Sequence, residues 1–499
     1  MSKMHVNGDF INDLLTKVMQ AAESGTSIDF SDGDEVGQYV LSILALGAEL
    51  IPVIGGALGA FTSLLGAIFF SSSPLSMEKI WEGLRERIEK LIDSKIEQYH
   101  LEVLAQKIRG IQENMAVYRQ YVRDFQHATG PDKEQAARTL HVAHVAFSNV
   151  VLAALPEFQL DRFAVASLPL FALVANIYLA LLVDGIKEGR QWGYSPQNIQ
   201  TMEAQFQAKT RPRGRKLPHD HFSRQKCALE EAIKAGPELG IPDNIIETWK
   251  EAYVELYESG KKTPRDSNSD LDYVSYAKTI YSRGRAEVKP YKDVPDRGGP
   301  EAGEYRAYAD YDTSMVMNVL NYAELWPFMS GGTPITEAAL RAVDREIFYG
   351  PFGRYTSHAA WGPSTPPRIT DRGAPITAVV VRAWDDVDGL QIKQGASWGA
   401  WQGSSTGGAP RQLDLAPDEW ITSFEVMYGH KLGKVKFGTN KGRALENGNA
   451  RHAHIQKSGA PPGYQLTSVI VTNYELHIPP GCEGVILGYR PLMTDSSRE

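Results

Sequence analysis

The chain has 499 residues, of which 42% are apolar and 22% are charged, a composition typical of soluble globular proteins. A chain of this length predicts two or three domains rather than one compact core. The formal charge of -8 argues against general nucleic-acid binding, and two distant cysteines exclude a disulfide framework. The N-terminus contains no apolar segment of the kind found in signal peptides, so we predict none.

The N-terminal part of the chain favours helices. Residues 1–33 are polar and predict a flexible leader. Residues 40–70 are apolar but broken by glycine and proline, which favours a hydrophobic piece inside a bundle over a permanent membrane anchor. Helical periodicity then continues to about residue 125.

A second helix is predicted at about 131–155, beginning after Gly130-Pro131. Its apolar face follows helical spacing and comprises Leu140, His144, Phe147, Val151 and Leu155. A short loop with acidic residues Glu157 and Asp161 follows. These acids either keep the loop soluble or take part in a function of the hairpin.

The next stretch, about 163–190, is the most apolar of the chain. It has no charge between Arg162 and Asp184, so about 21 residues are long enough to cross a bilayer as a helix. Apolar residues surround it on all sides, which indicates either the central helix of a bundle or a helix in lipid. The positions that mark this arm are Leu168, Leu173, Asn176 and Leu181. One amphipathic arm beside one uniformly apolar arm suits a pore, because the first can line water while the second faces lipid.

The region from 200 to 300 is less regular. A basic stretch with Pro and Gly predicts either a protease-sensitive loop or an ordinary solvated one, and its candidate cleavage residues are Arg211, Arg213, Arg215 and Lys216. His219-Asp220-His221 lacks further ligands, so no metal site and no cofactor is predicted. Helices are predicted at 229–257, 272–285 and 305–328. From Arg345 onward, short β-branched runs between Gly, Pro and Asn clusters predict roughly nine strands in a separate all-β domain.

Three blocks resemble the insecticidal three-domain δ-endotoxins, the Cry toxins. Residues 168–184 with Trp192-Gly193 resemble that family's fifth helix, 315–327 its seventh, and 345–351 the strand that opens its second domain. The resemblance implies a seven-helix bundle whose fourth and fifth helices, here about 131–155 and 163–190, insert into membranes. Two of the family's three domains are expected here, without the third β-sandwich.

The C-terminal part resembles jacalin-like lectins, which share a β-prism fold. The matching pieces are 387–392, Gly407-Gly408, 419–426 and 435–443, while 488–495 departs from the last segment of the lectins' sugar site. Candidate receptor or glycan contacts are Trp398, Trp401, Gly408, Asn440 and Lys441. The two tryptophans either stack on sugars or plug the prism, and Asn440-Lys441 forms either a hairpin turn or a ligand contact.

The predicted fold class is therefore α+β and multidomain: a leader at 1–33, a seven-helix-type pore-forming bundle with a central apolar helix at 34–335, an all-β prism at 345–490 and a tail at 491–499. The bundle includes an expanded 200–300 region. No catalytic motif is found, so we expect no enzyme.

We expect a pore-forming toxin that binds a receptor or glycan on gut cells through the prism and inserts the hairpin at about 131–190. The expected partners are the target membrane, a surface glycan or glycoprotein, further copies of the chain and a host protease. Storage in or release from the producing cell, as an inclusion, would precede action at the target plasma membrane. The alternative is a non-toxic lectin or coat protein whose helical domain only oligomerises.

Overall fold

A computed structural model describes residues 98–211, 221–262, 271–291, 300–330, 336–354, 374–449, 454–461, 464–473 and 481–491. The predicted leader, the apolar run at 40–70 and the tail beyond 491 lie outside these residues. The chain divides into two compact units. The first comprises the described residues up to Gly284 together with Met317–Leu340, and the second comprises those in Arg285–Val316 and Arg341–Glu499.

Helices dominate the N-terminal half, as predicted. They are α1 Gln98–His127, α2 Pro131–Ala154, α3 Ala164–Glu188, α4 Pro196–Thr210, α5 His221–Ala235, α6 Asp243–Lys262, α7 Tyr273–Glu287, α8 Pro300–Met315, α9 Asn321–Leu325 and α10 Glu337–Val343. The single helix expected at 229–257 is instead two helices, α5 and α6. Gly240, with φ of 72°, and Pro242 separate them, because neither residue favours a continuous helix there.

The core of the first unit lies around α3. Every side chain from Ala164 to Leu182 is buried, as the apolar sequence predicts. Burying one Leu, Ile or Phe contributes about 1.5–3 kcal/mol, so this helix holds a large share of the unit's hydrophobic stabilisation. The ring of Phe171 lies 4.5 Å from that of Tyr276, which joins α3 to α7.

The described residues of the second unit form three antiparallel sheets, which confirms the predicted β-rich C-terminal part. The strands are β1 Ile347–Gly353, β2 Ile376–Ala383, β3 Val387–Gln394, β4 Ser397–Trp398, β5 Gln402–Gly403, β6 Ala409–Asp414, β7 Ile421–Tyr428, β8 Leu432–Thr439, β9 Ala444–Gly448, β10 His454–Gly459, β11 Tyr464–Asn473 and β12 Cys482–Pro491. The sheet orders are β1-β12-β11, β10-β7-β8-β9 and β4-β3-β2-β6, and β5 pairs with β3. Buried residues alternate along much of β7, β8 and β9, and the three sheets form the predicted prism.

By its contacts helix α8 belongs to the second unit, and the domain bounds predicted from the sequence, with a helical bundle at 34–335, stay a prediction. Tyr305 and Ala309 of α8 are buried in a cluster with Phe348 of β1 and Ile486 of β12. The continuous helix predicted at 305–328 is also interrupted, because a π-helical turn at Val316–Leu320 separates α8 from α9.

Candidate membrane-active hairpin and glycan-binding loops

Helices α2 and α3 form a hairpin joined by two short 3₁₀ turns, Leu155–Gln159 and Asp161–Phe163. Among the described residues, these two helical segments, Pro131–Gln159 and Asp161–Trp192, are long and apolar enough to cross a membrane by length and composition. The core helix of a soluble protein meets the same criteria, and the most apolar window of the second segment is fully buried. The structure thus shows the most apolar part of the second segment packed inside the protein.

Asn176 is a polar side chain in the middle of α3, and it is satisfied by a residue outside the hairpin. Its Oδ1 accepts a hydrogen bond of 2.5 Å from Trp326 Nε1, and both side chains are buried. A buried amide without partners would cost about 1–3 kcal/mol. This bond therefore holds α3 in the bundle. The predicted positions Leu168, Leu173 and Leu181 are also buried.

The predicted apolar face of α2 is buried as a set. Leu140, His144, Phe147, Val151 and, in the following turn, Leu155 are each at most 2% exposed. Ser148 and Asn149, which lie off that face, are less well accommodated. Ser148 Oγ and Asn149 Oδ1 are buried without a hydrogen-bond partner in the described part of the chain.

A cluster of aromatic and imidazole side chains packs α2 against the end of α3. His144 Nε2 donates to Leu181 O at 2.7 Å, and its Nδ1 lies 2.7 Å from the Tyr194 hydroxyl oxygen. Burial lowers the pKa of His144 to about 4, so near neutral pH the ring is uncharged and Nδ1 accepts from that hydroxyl. Gly185 leaves room for it, because a Cβ there would lie 2.9 Å from His144 Cε1. Tyr118 of α1 donates to Asp184 at 3.2 Å, and burial raises the pKa of Tyr118 well above its usual value.

The tip of the hairpin is fastened to α7. Arg283 Nη1 pairs with Asp161 Oδ1 at 2.6 Å, and Arg283 Nη2 donates to the Asp161 carbonyl at 2.8 Å. Asp161 is exposed, while Glu157 in the preceding turn is half-buried. Asp161 thus forms a specific contact that its sequence context did not reveal. Whether Glu157 acts in the hairpin stays a prediction.

The candidate protease loop lies mostly outside the described residues. Arg211 is exposed and caps the C-terminal end of α4. Arg213, Arg215 and Lys216 fall in the 212–220 gap, as do His219 and Asp220. Cleavage at this loop stays a prediction.

A cluster of loops at one end of the β-rich unit presents an exposed indole beside polar groups. We call Trp384, Asp385, Gly408 and Asn449 the loop cluster. Trp384 is 76% exposed, and Asn449 Nδ2 donates to Asp385 Oδ1 at 3.1 Å. A Cβ at Gly408 would lie 2.4 Å from Trp384 Cδ1, so only glycine fits beside the indole. An exposed indole next to a carboxylate and an amide can stack on a sugar ring and bond its hydroxyls.

Of the predicted site residues Trp398 and Trp401, the first lies in a strand and the second in the short connection between β4 and β5. Trp398, 39% exposed, is in β4, and Trp401 precedes β5 and is half-buried. The Nζ of Lys393 lies 6.0 Å from the Trp398 ring centroid, and Arg382 Cζ lies 5.5 Å from that of Trp401. Each indole therefore has a cation near its ring. Both predicted roles, stacking on a sugar and plugging the prism, stay predictions.

Asn440 and Lys441 form a turn whose polar groups are used internally. Asn440 Oδ1 accepts from the Trp420 N–H at 3.0 Å, and Lys441 pairs with Asp418. The neighbouring Glu419 receives hydrogen bonds from the Thr439 hydroxyl and from the backbone, which lower its pKa. These contacts match the predicted hairpin turn. Binding by Asn440 or Lys441 stays a prediction.

Trp384 and Asp385 are candidate site residues that were not predicted from the sequence. The signal was present as Trp-Asp-Asp between two apolar strands, where a large aromatic residue enters a polar turn. Trp384 lies near Gly407-Gly408 because β2 pairs with β6. This pairing places Ala383 opposite Ala409.

Two parts of the chain, one helical and one β-rich, match models of known protein domains. Residues 43–212 match the model of the delta endotoxin N-terminal domain, and residues 358–465 match that of the jacalin-like lectin domain. The chain is Cry-like and carries a jacalin-like C-terminal domain. The first match contains the whole α2–α3 hairpin, and the second contains Trp384, Trp398, Trp401 and Gly408.

Relatives of this Cry-like chain include two pesticidal crystal proteins. Cry11Ba of Bacillus thuringiensis subsp. jegathesan is 27% identical over 146 residues, which are 29% of this chain and 18% of that protein. Cry7Ab of Bacillus thuringiensis subsp. dakota is 28% identical over 169 residues, 32% of this chain and 15% of that protein. The matched segment thus spans less than a fifth of either relative.

Solved structures share the fold across most of the Cry-like chain. The insecticidal crystal protein Cry7Ca1 of Bacillus thuringiensis superposes with a TM-score of 0.55 at 15% identity, covering 91% of this chain and 75% of that one. PirB superposes with a TM-score of 0.54 at 11% identity, covering 90% of this chain and 94% of that one. At these identities the likeness concerns the fold.

Proposed function

We propose that this chain is a pore-forming toxin that recognises a cell-surface glycan through the loop cluster and inserts the α2–α3 hairpin into the target membrane. The observation that carries the proposal is α3 itself, a helix buried from Ala164 to Leu182 and without charge from Phe163 to Val183, next to an amphipathic helix of similar length. Each arm is about 37 Å long, enough for a 30 Å hydrocarbon layer.

The energetic argument concerns what α3 exchanges on leaving the bundle. Its apolar side chains are out of water in the packed form and stay out of water in lipid, so little hydrophobic stabilisation is lost. The specific losses include the Trp326 bond to Asn176, the Tyr118 bond to Asp184 and the Arg283 bonds to Asp161. A few directional contacts thus separate the two states.

Helix α2 supports the pore part of the proposal. Ser148 Oγ and Asn149 Oδ1 have no partner among the described residues of the packed form, and each buried unpaired group costs about 1–3 kcal/mol. In an inserted hairpin, these groups would face a water-filled lumen and be solvated. Insertion therefore relieves a cost of the soluble state.

The remaining parts of the proposal concern its surroundings. Proteolysis near Arg211 would trim the toxin, and several copies would assemble in the target plasma membrane of a gut cell. The producing cell would store or release the chain, for instance as an inclusion. The jacalin-like domain supports a glycan or glycoprotein as the receptor.

The test is dye release from liposomes, with and without glycolipid and with and without limited trypsin treatment. The proposal expects release that rises with glycolipid, and a Trp384→Ala variant that releases dye only as fast as wild type does without glycolipid. The matched control is Trp420→Ala, which alters a half-buried tryptophan beside the Asn440-Lys441 turn. A lectin whose helical domain only oligomerises would bind the vesicles and leave them sealed under every condition.

A further inference from the structure

One face of the five-stranded sheet gathers two cations and two indoles. Residues directly opposite each other on paired strands share a face, as do alternate residues along a strand. Lys393 pairs with Trp398, and Arg382 pairs with Gly389, two positions from Gln391. We call Arg382, Gln391, Lys393, Trp398 and Trp401 the tryptophan face.

Both cations of this face lack a carboxylate partner in the described part of the chain. Arg382 Nη1 donates to Gly408 O at 3.0 Å, while its Nε is buried without an acceptor. Lys393 contacts the Trp398 ring. Asp414 is an acid at the same level of the sheet, but it lies two strands from Lys393, or about 10 Å, and accepts from Gln412.

Lysines on the neighbouring sheet behave differently. Lys434 pairs with Glu446 at 2.7 Å, and Lys457 pairs with Glu425 at 3.0 Å. The chain as a whole is acidic, with a formal charge of -8. Cations near indoles without an acid beside them thus distinguish the tryptophan face from these two lysines of the neighbouring sheet.

These groups fit one ligand chemistry. Indole faces stack on sugar rings, and cations without an acid beside them pair with anionic substituents in charge-assisted contacts. Arg382 and Lys393 lie four strand positions apart in register, or about 13 Å, which calls for an extended chain rather than one sugar. We propose that the tryptophan face binds an acidic glycan, with sulfate or carboxylate groups at Arg382 and Lys393 and sugar rings on Trp398 and Trp401.

This face adjoins the loop cluster through the bond from Arg382 to Gly408 O, but the groups beside Trp384 are an acid and an amide that suit neutral hydroxyls. It adds a second ligand class to the proposed lectin role and does not depend on pore formation. Lys393 and Trp398 make no bond to the loop cluster in the described part of the chain, so their replacement should leave that cluster intact, and failure of the proposed function and failure of this inference are distinguishable.

The experiment measures binding of the full chain to immobilised dextran sulfate, with neutral dextran as the matched polymer. Lys393→Gln should weaken dextran sulfate binding by about tenfold, the scale of one charge-assisted contact. Trp398→Ala should weaken it as well, while Trp384→Ala should not. Lys457→Gln removes the same charge from the neighbouring sheet and is the control. Arg382→Gln is compared with Arg382→Lys, and melting curves check that each variant folds.

Equal loss in Lys393→Gln and Lys457→Gln would reduce the binding to general attraction of a polyanion and overturn the proposal. Equal binding of dextran and dextran sulfate would overturn it too. Vesicles containing anionic phosphatidylglycerol form a separate arm. If Lys393→Gln loses binding to these vesicles but keeps it to dextran sulfate, the face is a lipid site and the proposal is wrong.

Discussion

The bond between Asn176 and Trp326 gives a measurable test of what holds α3 in the bundle. Trp326→Phe keeps an aromatic ring but removes the indole N–H, so the Asn176 amide loses its 2.5 Å donor in a buried site. Leaving one buried neutral group unpaired costs about 1–3 kcal/mol. Asn176→Leu removes the amide instead, and the double variant leaves no polar group unpaired.

The indole is larger than a phenyl ring, so Trp326→Phe also loses packing contacts. A double-mutant cycle separates this packing loss from the loss of the hydrogen bond. Urea unfolding followed by far-ultraviolet circular dichroism reports the helices. We expect a coupling energy of about 1 kcal/mol or more between the two positions. In vesicle leakage, Trp326→Phe should increase the rate by about 5- to 150-fold, the factor that 1–3 kcal/mol represents. A coupling energy near zero, or leakage at the wild-type rate, would refute the reasoning.

Three further predictions follow from single contacts. Asp161→Asn weakens the exposed ion pair with Arg283, worth about 0.2–1 kcal/mol, so leakage should accelerate by no more than about fivefold, and Asp132→Asn in α2 should not change it. Trp384→Ala should lose signal on a glycan array while its melting temperature stays at the wild-type value, because the side chain is 76% exposed; retained binding would remove the loop cluster from the account. The pKa of Glu419 is lowered in the folded state, so its contribution to stability is present above the unfolded value of about 4.3 and is lost as the pH falls through the folded value. Thermal melts should show a lower melting temperature for Glu419→Gln at neutral pH and a smaller decrease on acidification than in wild type; parallel curves would contradict this assignment.

The hairpin could be predicted from sequence because its signals are local. The uncharged run of α3 and the spacing of Leu140, Phe147 and Val151 on α2 depend only on helix geometry. The strands could also be predicted from local signals, because runs of β-branched residues lie between clusters of turn residues.

The contacts that fasten the hairpin could not be predicted, because they join residues far apart in the chain. Asn176 and Trp326 are separated by 150 positions, and Asp161 and Arg283 by 122. No periodicity identifies such partners, since the choice is made by tertiary packing. The position of α8 against β1 is of the same kind: its sequence predicts a helix, but the surface that it covers depends on Phe348 and Ile486.

The most direct test of the account ties the hairpin tip to the bundle. Asp161→Cys and Arg283→Cys place thiols at positions that now form an ion pair, and Cys227→Ser removes the exposed native thiol, while Cys482 is buried. A reducible bis-maleimide joins the two thiols with an arm shorter than the 30 Å hydrocarbon layer. The matched control is the variant with Asp161→Cys but without Arg283→Cys. It carries the same reagent on one thiol and cannot be cross-linked.

The account predicts that the cross-linked protein binds glycolipid vesicles but leaves them sealed, that reduction restores dye release to the rate of the unlinked variant, and that the singly labelled control leaks throughout. Dye release that proceeds equally fast with the tip tied to α7 would contradict insertion of the α2–α3 hairpin.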